Sequence, residues 1–191
     1  MTTQGRQWLL QRARSAIEAQ LVQERRSQEQ PELDQSAPPE VRRARCGIFV
    51  SLHSRKGNEL RGCVGYLRCR RSLDRDVVAV AQQAAFTDHR FASIASVEEL
   101  SALDIEISLL SPFEVVDSEH EIVLGTHGAC VEVEGRTGLL LPQVAEGRNW
   151  SVEDFLIHVC AKAGRRDACW QHPGAILYRF TAEVFDDRLL R

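Results

Sequence analysis

The chain has 191 residues, of which 43% are hydrophobic and 27% charged, and a formal net charge of −3. That length holds one domain with a substantial core. No apolar run approaches the roughly 18 residues of a membrane-spanning helix, and the small negative charge gives no overall pull toward nucleic acid or an anionic bilayer.

The opening Met1-Thr2-Thr3-Gln4 runs into an amphipathic segment rather than a basic stretch followed by an apolar one, so the expected location is cytoplasmic. Cysteines stand at 46, 63, 69, 130, 160 and 169, with no regular spacing. They are expected to be reduced thiols rather than a disulfide framework.

In chain order, Trp8, Leu9, Ala13, Ala16, Ile17 and Leu21 recur at helical intervals and predict an N-terminal helix with one apolar stripe. Residues 24–45 turn polar and contain Ala37-Pro38-Pro39, which predicts a flexible surface loop. Gly47 to Leu52 and Leu60 to Leu67 read as two strands of a hairpin turned by residues 54–58.

A helix follows from about Leu73 to Ala85, capped by Ser72, with Val77, Val80, Ala81 and Ala84 facing inward. Residues 86–91 connect it to a short helix opened by the capping box Ser96-Val97-Glu98-Glu99. Ile105, Ile107 and Leu109 then alternate with Glu106 and Ser108, as in a strand with one buried face.

Val131 and Val133 begin a second hairpin, with Gly135-Arg136-Thr137-Gly138 as its turn and Leu139 to Leu141 returning. Ser151 caps a helix whose inner face is Phe155, Leu156, Val159, Cys160 and Ala163, and Gly164 suits its end. Ala175 to Phe180 is expected to be the last strand. Two hairpins without a regular strand-helix alternation predict an α+β fold with a mixed, largely antiparallel sheet covered by helices.

Several residues are suited to chemistry. Cys63 is flanked by Gly62 and Gly65, which leave room for a ligand, and strand alternation puts Arg61 on its face, where a cation favours thiolate. The bland alternative is a small packed thiol. Asp88-His89-Arg90, between Phe86 and Phe91, offers a carboxylate, an imidazole and a guanidinium, although three consecutive side chains cannot all point one way. A solvated turn is the simpler reading there.

Glu106 faces either solvent or a cleft. His127, in Gly125-Thr126-His127-Gly128, either meets an anion or pins its own turn. Cysteine and histidine spacings do not match a zinc site, and no P-loop, Rossmann glycine pattern or nucleophile elbow is present, so no metal and no cofactor are expected. Arg42-Arg43-Ala44-Arg45 and Arg68-Cys69-Arg70-Arg71 are basic, but without interleaved aromatics they are weak grounds for nucleic-acid binding.

Taken in order, Leu60-Arg61-Gly62-Cys63-Val64-Gly65, Phe86 to Phe91, Ile105 to Leu110, Gly125 to Gly128 and Leu140-Leu141-Pro142-Gln143-Val144 resemble the motifs of the AMMECR family. Trp150, Lys162-Ala163-Gly164 and Trp170 extend the resemblance to about Asp186. Bacterial members of the family are called AmmeMemoRadiSam system protein A.

The resemblance implies one AMMECR-like domain with a larger and a smaller lobe, a functional role for the hexapeptide, and Memo-type and radical-SAM companion proteins. Val64 stands where the family has isoleucine, and His89 where it more often has proline or serine. That directs interest to Asp88 and Arg90. Three readings follow: a cysteine-centred enzyme or accessory factor using Cys63, Arg61, Glu106, Asp88 and His127 with Gly62, Gly65, Arg90 and Gly128 for binding; a non-catalytic interaction module; and, more weakly, nucleic-acid binding through the Arg42 and Arg68 clusters.

Overall fold

The computed structural model describes residues 1–23 and 36–190. The chain forms two compact units, Met1–Leu109 with Val184–Arg191 and Leu110–Glu183.

In the first unit, α1 (Thr3–Gln23), α2 (Pro39–Arg43), β1 (Gly47–Ser54), β2 (Leu60–Tyr66), α3 (Leu73–Phe86), α4 (Val97–Ser101) and β3 (Leu103–Leu110) follow one another. Strand β8 (Ala182–Asp186) completes a sheet of order β2-β1-β3-β8. Strands β1 and β2 are antiparallel, with Ile48 opposite Tyr66, Val50 opposite Val64 and Ser51 opposite Cys63. Period-two alternation sends Ile48, Val50 and Leu52 of β1 and Ile105 and Ile107 of β3 to one face. All five are fully buried, in one core with Leu9, Ala13 and Ile17 of α1 and Val77, Val80 and Ala81 of α3. Burial of each large aliphatic side chain contributes about 1.5–3 kcal/mol. The other sheet face carries Phe49, Ser51, Cys63, Glu106 and Ser108.

The helix-facing side of β2 explains one glycine. A Cβ on Gly62 would lie 2.1 Å from the Ala84 carbonyl oxygen, so only glycine lets the last turn of α3 lie this close to the strand. Ser72 precedes α3 in extended conformation without a side-chain cap bond, contrary to expectation. The buried Asp76 instead accepts from the Arg70 and Arg71 N–H groups. Ser96 does cap α4, accepting from the Glu99 N–H.

The second unit contains β4 (Glu114–Val115), β5 (Gly128–Val133), β6 (Arg136–Leu140), α5 (Val152–Lys162) and β7 (Ile176–Phe180). Its sheet has the order β4-β7-β5-β6, antiparallel throughout. Phe155, Leu156 and Val159 of α5 pack on Ala129, Val131, Val133 and Leu140. Ser151 and Asp154 form the capping box of α5, and Gly164 ends it at φ +75°.

Four further expectations are corrected. The hairpin turn is Glu134-Gly135, both at positive φ as a two-residue turn requires, and Gly138 lies within β6. A Cβ at Gly138 would lie 2.1 Å from the Val159 carbonyl oxygen, so this glycine serves helix packing and not the turn. Within the expected 24–45 loop, 24–35 lie outside the described residues, while Pro39–Arg43 is helical with Val41 fully buried. The chain does not end its regular structure at Phe180, because β8 follows. Cys160 and Cys169 are disulfide-bonded at a Cα separation of 5.7 Å, since the chain leaving α5 turns at Gly164 and returns against it.

Candidate functional site

Strand β2 is an edge strand, so its outward N–H and C=O groups need partners other than a neighbouring strand. At Cys63 they find them in the loop after α3. The Cys63 N–H donates to Asp88 Oδ2 at 2.8 Å, and Arg90 Nη2 donates to the Cys63 carbonyl at 2.8 Å. Arg90 also closes on Asp88 through Nε and Nη2 at 2.9 and 2.7 Å, and its backbone N–H reaches Oδ1 at 3.3 Å. One carboxylate and one guanidinium thus replace a strand along one residue of the edge.

The Asp88 side chain is only 7% exposed, and its carboxyl is held down at about 2, chiefly by the Arg90 hydrogen bond and then by the backbone donors. The Arg90 guanidinium is raised, first by Asp88 and also by Cys63. Arg90 lies 5.3 Å from the Phe91 ring centroid and keeps 55% of its side chain exposed. His89, between the two, is exposed.

The sulfur has a second neighbour. Ser51, opposite Cys63 on β1, lies 3.3 Å from Sγ through its hydroxyl, in position to donate. Ser51 is 7% exposed and Cys63 half-buried. His53 lies two residues along the same strand, with a buried Nδ1 that has no hydrogen-bond partner among the described residues. Neither Ser51 nor His53 stands out in the sequence, because both sit inside a strand whose signal is its apolar alternation.

The expected residues divide. Arg61 is not the cation beside Cys63: a bulge pairs Leu52 with Gly62 but His53 with Leu60, leaving Arg61 as the extra residue. Its guanidinium is taken by Glu99 at 2.6 Å. The Glu99 carboxyl is lowered mainly by the Ala95 N–H, then by Arg61.

Gly62 and Gly65 leave no room for a ligand, since Ala84 fills one space and a Cβ on Gly65 would lie 2.3 Å from the Phe49 ring. Glu106 is half-buried on the sheet face that carries Ser51 and Cys63. His127 and Gly128 belong to the second unit. There the His127 Nδ1 accepts from the Val123 N–H at 3.1 Å and pins its turn, while a Cβ on Gly128 would meet the Phe180 ring at 2.4 Å.

Among the described residues no three His, Cys, Asp or Glu side chains gather to hold a metal ion, and no helix is long and apolar enough to cross a membrane. The second unit has a cavity of about 450 Å³ lined by residues that include Val115, Asp117, Glu119, Trp170 and Ile176.

Comparisons with known proteins agree with this fold. A protein of Methanothermobacter thermautotrophicus is 40% identical over 155 residues, covering 78% of this chain and 79% of its own. One from Thermococcus gammatolerans is 37% identical over 193 residues, covering 97% and 91%. The crystal structure of the uncharacterized protein PH0010 from Pyrococcus horikoshii superposes with a TM-score of 0.84 at 33% identity, covering 94% of this chain and 89% of that one. The family model for AMMECR1 matches residues 10–185, and the chain belongs to the AMMECR1 family.

Proposed function

We propose that the first unit presents Cys63 as a thiolate nucleophile or redox centre of a cytoplasmic enzyme or enzyme-accessory factor. The observation that carries this reading is the Arg90 guanidinium, bonded to the Cys63 carbonyl at 2.8 Å and raised in part by the Cys63 side chain. The Arg90 guanidinium at the Cys63 peptide and the Ser51 hydroxyl 3.3 Å from Sγ are the groups that a thiolate at this position would meet. Asp88 holds Arg90 in place and the Ser51 hydroxyl donates to the sulfur. Under this reading Glu106, on the same sheet face, is the group assigned to carry a proton, with His53 on that face as the alternative.

The role is tested in cells of the organism that carries the gene. Cys63→Ala at normal abundance is expected to reproduce the loss caused by full deletion. Full function with Cys63→Ala contradicts it.

A second reading has its own support. Gly62 and Gly65 are filled by the protein's own atoms, so the hexapeptide also serves as scaffold, with the exposed Arg90 as an anchor for a partner such as the Memo-type or radical-SAM companion. Under that reading Arg90→Glu abolishes co-purification of the companion, and Cys63→Ala leaves both co-purification and cellular function intact.

A further inference from the structure

The two arginine runs, separate in sequence, come together in the fold. Tyr66 at the end of β2 stands opposite Ile48 at the start of β1, and a Cβ on Gly47 would lie 2.5 Å from the Leu67 carbonyl oxygen. Residues 42–45, entering β1, therefore adjoin residues 68–71, leaving β2. The Cys69 thiol is pushed up by burial and then by Asp76, and the charge of Arg45 acts on it in the opposite sense.

Arg42, Arg43, Arg45, Arg68, Arg70 and Arg71 are all exposed, and Arg75 follows on the first turn of α3. The nearby acids are Asp74, Asp76 and Glu40. Asp74 and Asp76 are buried, at 3% and 1% exposure, and Glu40 is bonded to Thr2. None of the seven arginines has an ion pair among the described residues.

This surface is also held in shape. Asp76 fixes the Arg70 and Arg71 backbone through two N–H bonds, and the Arg70 guanidinium lies 4.0 Å over the Tyr66 ring, whose hydroxyl accepts from Gln83. A guanidinium fork held as that of Arg70 is suits phosphate oxygens better than a flexible ammonium group would.

We propose that this arginine surface at the open end of the β1–β2 hairpin binds the phosphate backbone of a nucleic-acid duplex without reading its sequence. Among the described residues no large hydrophobic side chain is exposed between 36 and 49 or between 66 and 76, which disfavours insertion into a bilayer. Among the described residues there, no aromatic ring is exposed on which single-stranded bases could stack, because Tyr66 is buried beneath Arg70. The chain's net charge of −3 does not oppose this, as the acidic surplus lies elsewhere: residues 110–183 hold 6 Lys+Arg against 11 Asp+Glu.

The test is fluorescence anisotropy of the full chain with short labelled RNA and DNA duplexes of mixed sequence. If up to six arginines neutralise phosphates, affinity falls about 1,000-fold between about 50 and 200 mM salt. Arg42→Glu/Arg68→Glu/Arg71→Glu should bind at least about 10-fold more weakly at low salt, with about half the salt slope. A control with the same charge change in the second unit, Arg136→Glu/Arg148→Glu/Arg166→Glu, should bind within about 2-fold of wild type. Circular dichroism melting checks both variants, and Arg42→Gln/Arg68→Gln/Arg71→Gln replaces the first if it is unfolded.

The RNA and DNA arms identify which duplex is preferred, and binding of either supports the proposal. Absence of duplex binding at low salt overturns it, as does equal weakening by both triple variants. Vesicles of phosphatidylserine and phosphatidylcholine form a further arm, and vesicle binding without duplex binding also overturns it.

Discussion

Arg90 donates to the carbonyl of Cys63 at 2.8 Å, across 27 residues of sequence, and ties the loop after α3 to the edge of the first sheet. Asp88 completes the link from the other side, so the Cys63 peptide groups are held by an ion pair rather than by a strand. Removing either partner leaves a half-buried backbone group without its bond.

Asp88→Ala is therefore expected to cost about 1–3 kcal/mol, and Asp88→Asn, which still accepts from the Cys63 N–H, about 1 kcal/mol. Urea denaturation at neutral pH measures both as a lower midpoint at unchanged m-value. Equal midpoints for wild type and Asp88→Ala contradict the clamp.

The same pair sets an acid dependence. Because the folded Asp88 carboxyl sits at about 2, below its ordinary value near 3.8, its contribution is full above about pH 5 and is lost as pH falls from about 4 through 2. Allowing for the exposure of Arg90, the loss is about 1–2 kcal/mol. Asp88→Asn should lack that part of the acid decline. A wild-type and variant difference that stays constant from pH 6 to below pH 3, in urea titrations, is the contrary result.

The two glycines of the hexapeptide should differ. A Cβ on Gly62 meets the backbone carbonyl of Ala84 at 2.1 Å, whereas one on Gly65 meets the Phe49 ring at 2.3 Å, and a ring can move. Gly62→Ala is expected to cost about 3 kcal/mol or more and Gly65→Ala about 1–2 kcal/mol. Phe49→Ala in the Gly65→Ala background should cost less than it does alone. Additive losses in that cycle argue against the contact.

The disulfide has a simple chemical signature. Denatured, unreduced protein should titrate four thiols, at Cys46, Cys63, Cys69 and Cys130, and reduction should raise this to six. Replacing Cys160 and Cys169 by alanine should lower stability by about 2–4 kcal/mol. Six thiols without reductant would show the pair to be reduced in the isolated protein.

The main helices and the first hairpin were legible because their residues repeat with the period of the element. Ile48, Val50 and Leu52 alternate into the core, and Val77, Val80, Ala81 and Ala84 line one helix face. Features without a period escaped. Helix α2 has one buried apolar anchor, Val41, in a polar segment with Pro38-Pro39, and β4 is two residues long. In β8, Phe185 alone packs into the first core while Val184 is exposed.

The candidate site was legible in part. The hexapeptide and Asp88 with Arg90 were singled out separately, but their union depends on how closely α3 approaches β2, which Gly62 permits and no spacing reveals. Alternation put Arg61 beside Cys63, and the bulge opposite Leu52 and His53 undid it. The Cys160–Cys169 bridge followed from a chain reversal at Gly164 that cysteine spacing does not encode.

Activation of Cys63 by Arg90 is measured most directly as the iodoacetamide alkylation rate of Cys63 in the folded protein, read by peptide mass spectrometry near pH 7. Cys46 and Cys69, half-buried in the same unit, serve as internal references, with the Cys69 thiol pushed up by burial and then by Asp76. Cys63 is expected to react about 10-fold faster than either, and Arg90→Gln to remove most of that advantage while the protein stays folded. A Cys63 rate equal to the references, or one unchanged by Arg90→Gln, would contradict activation by Arg90.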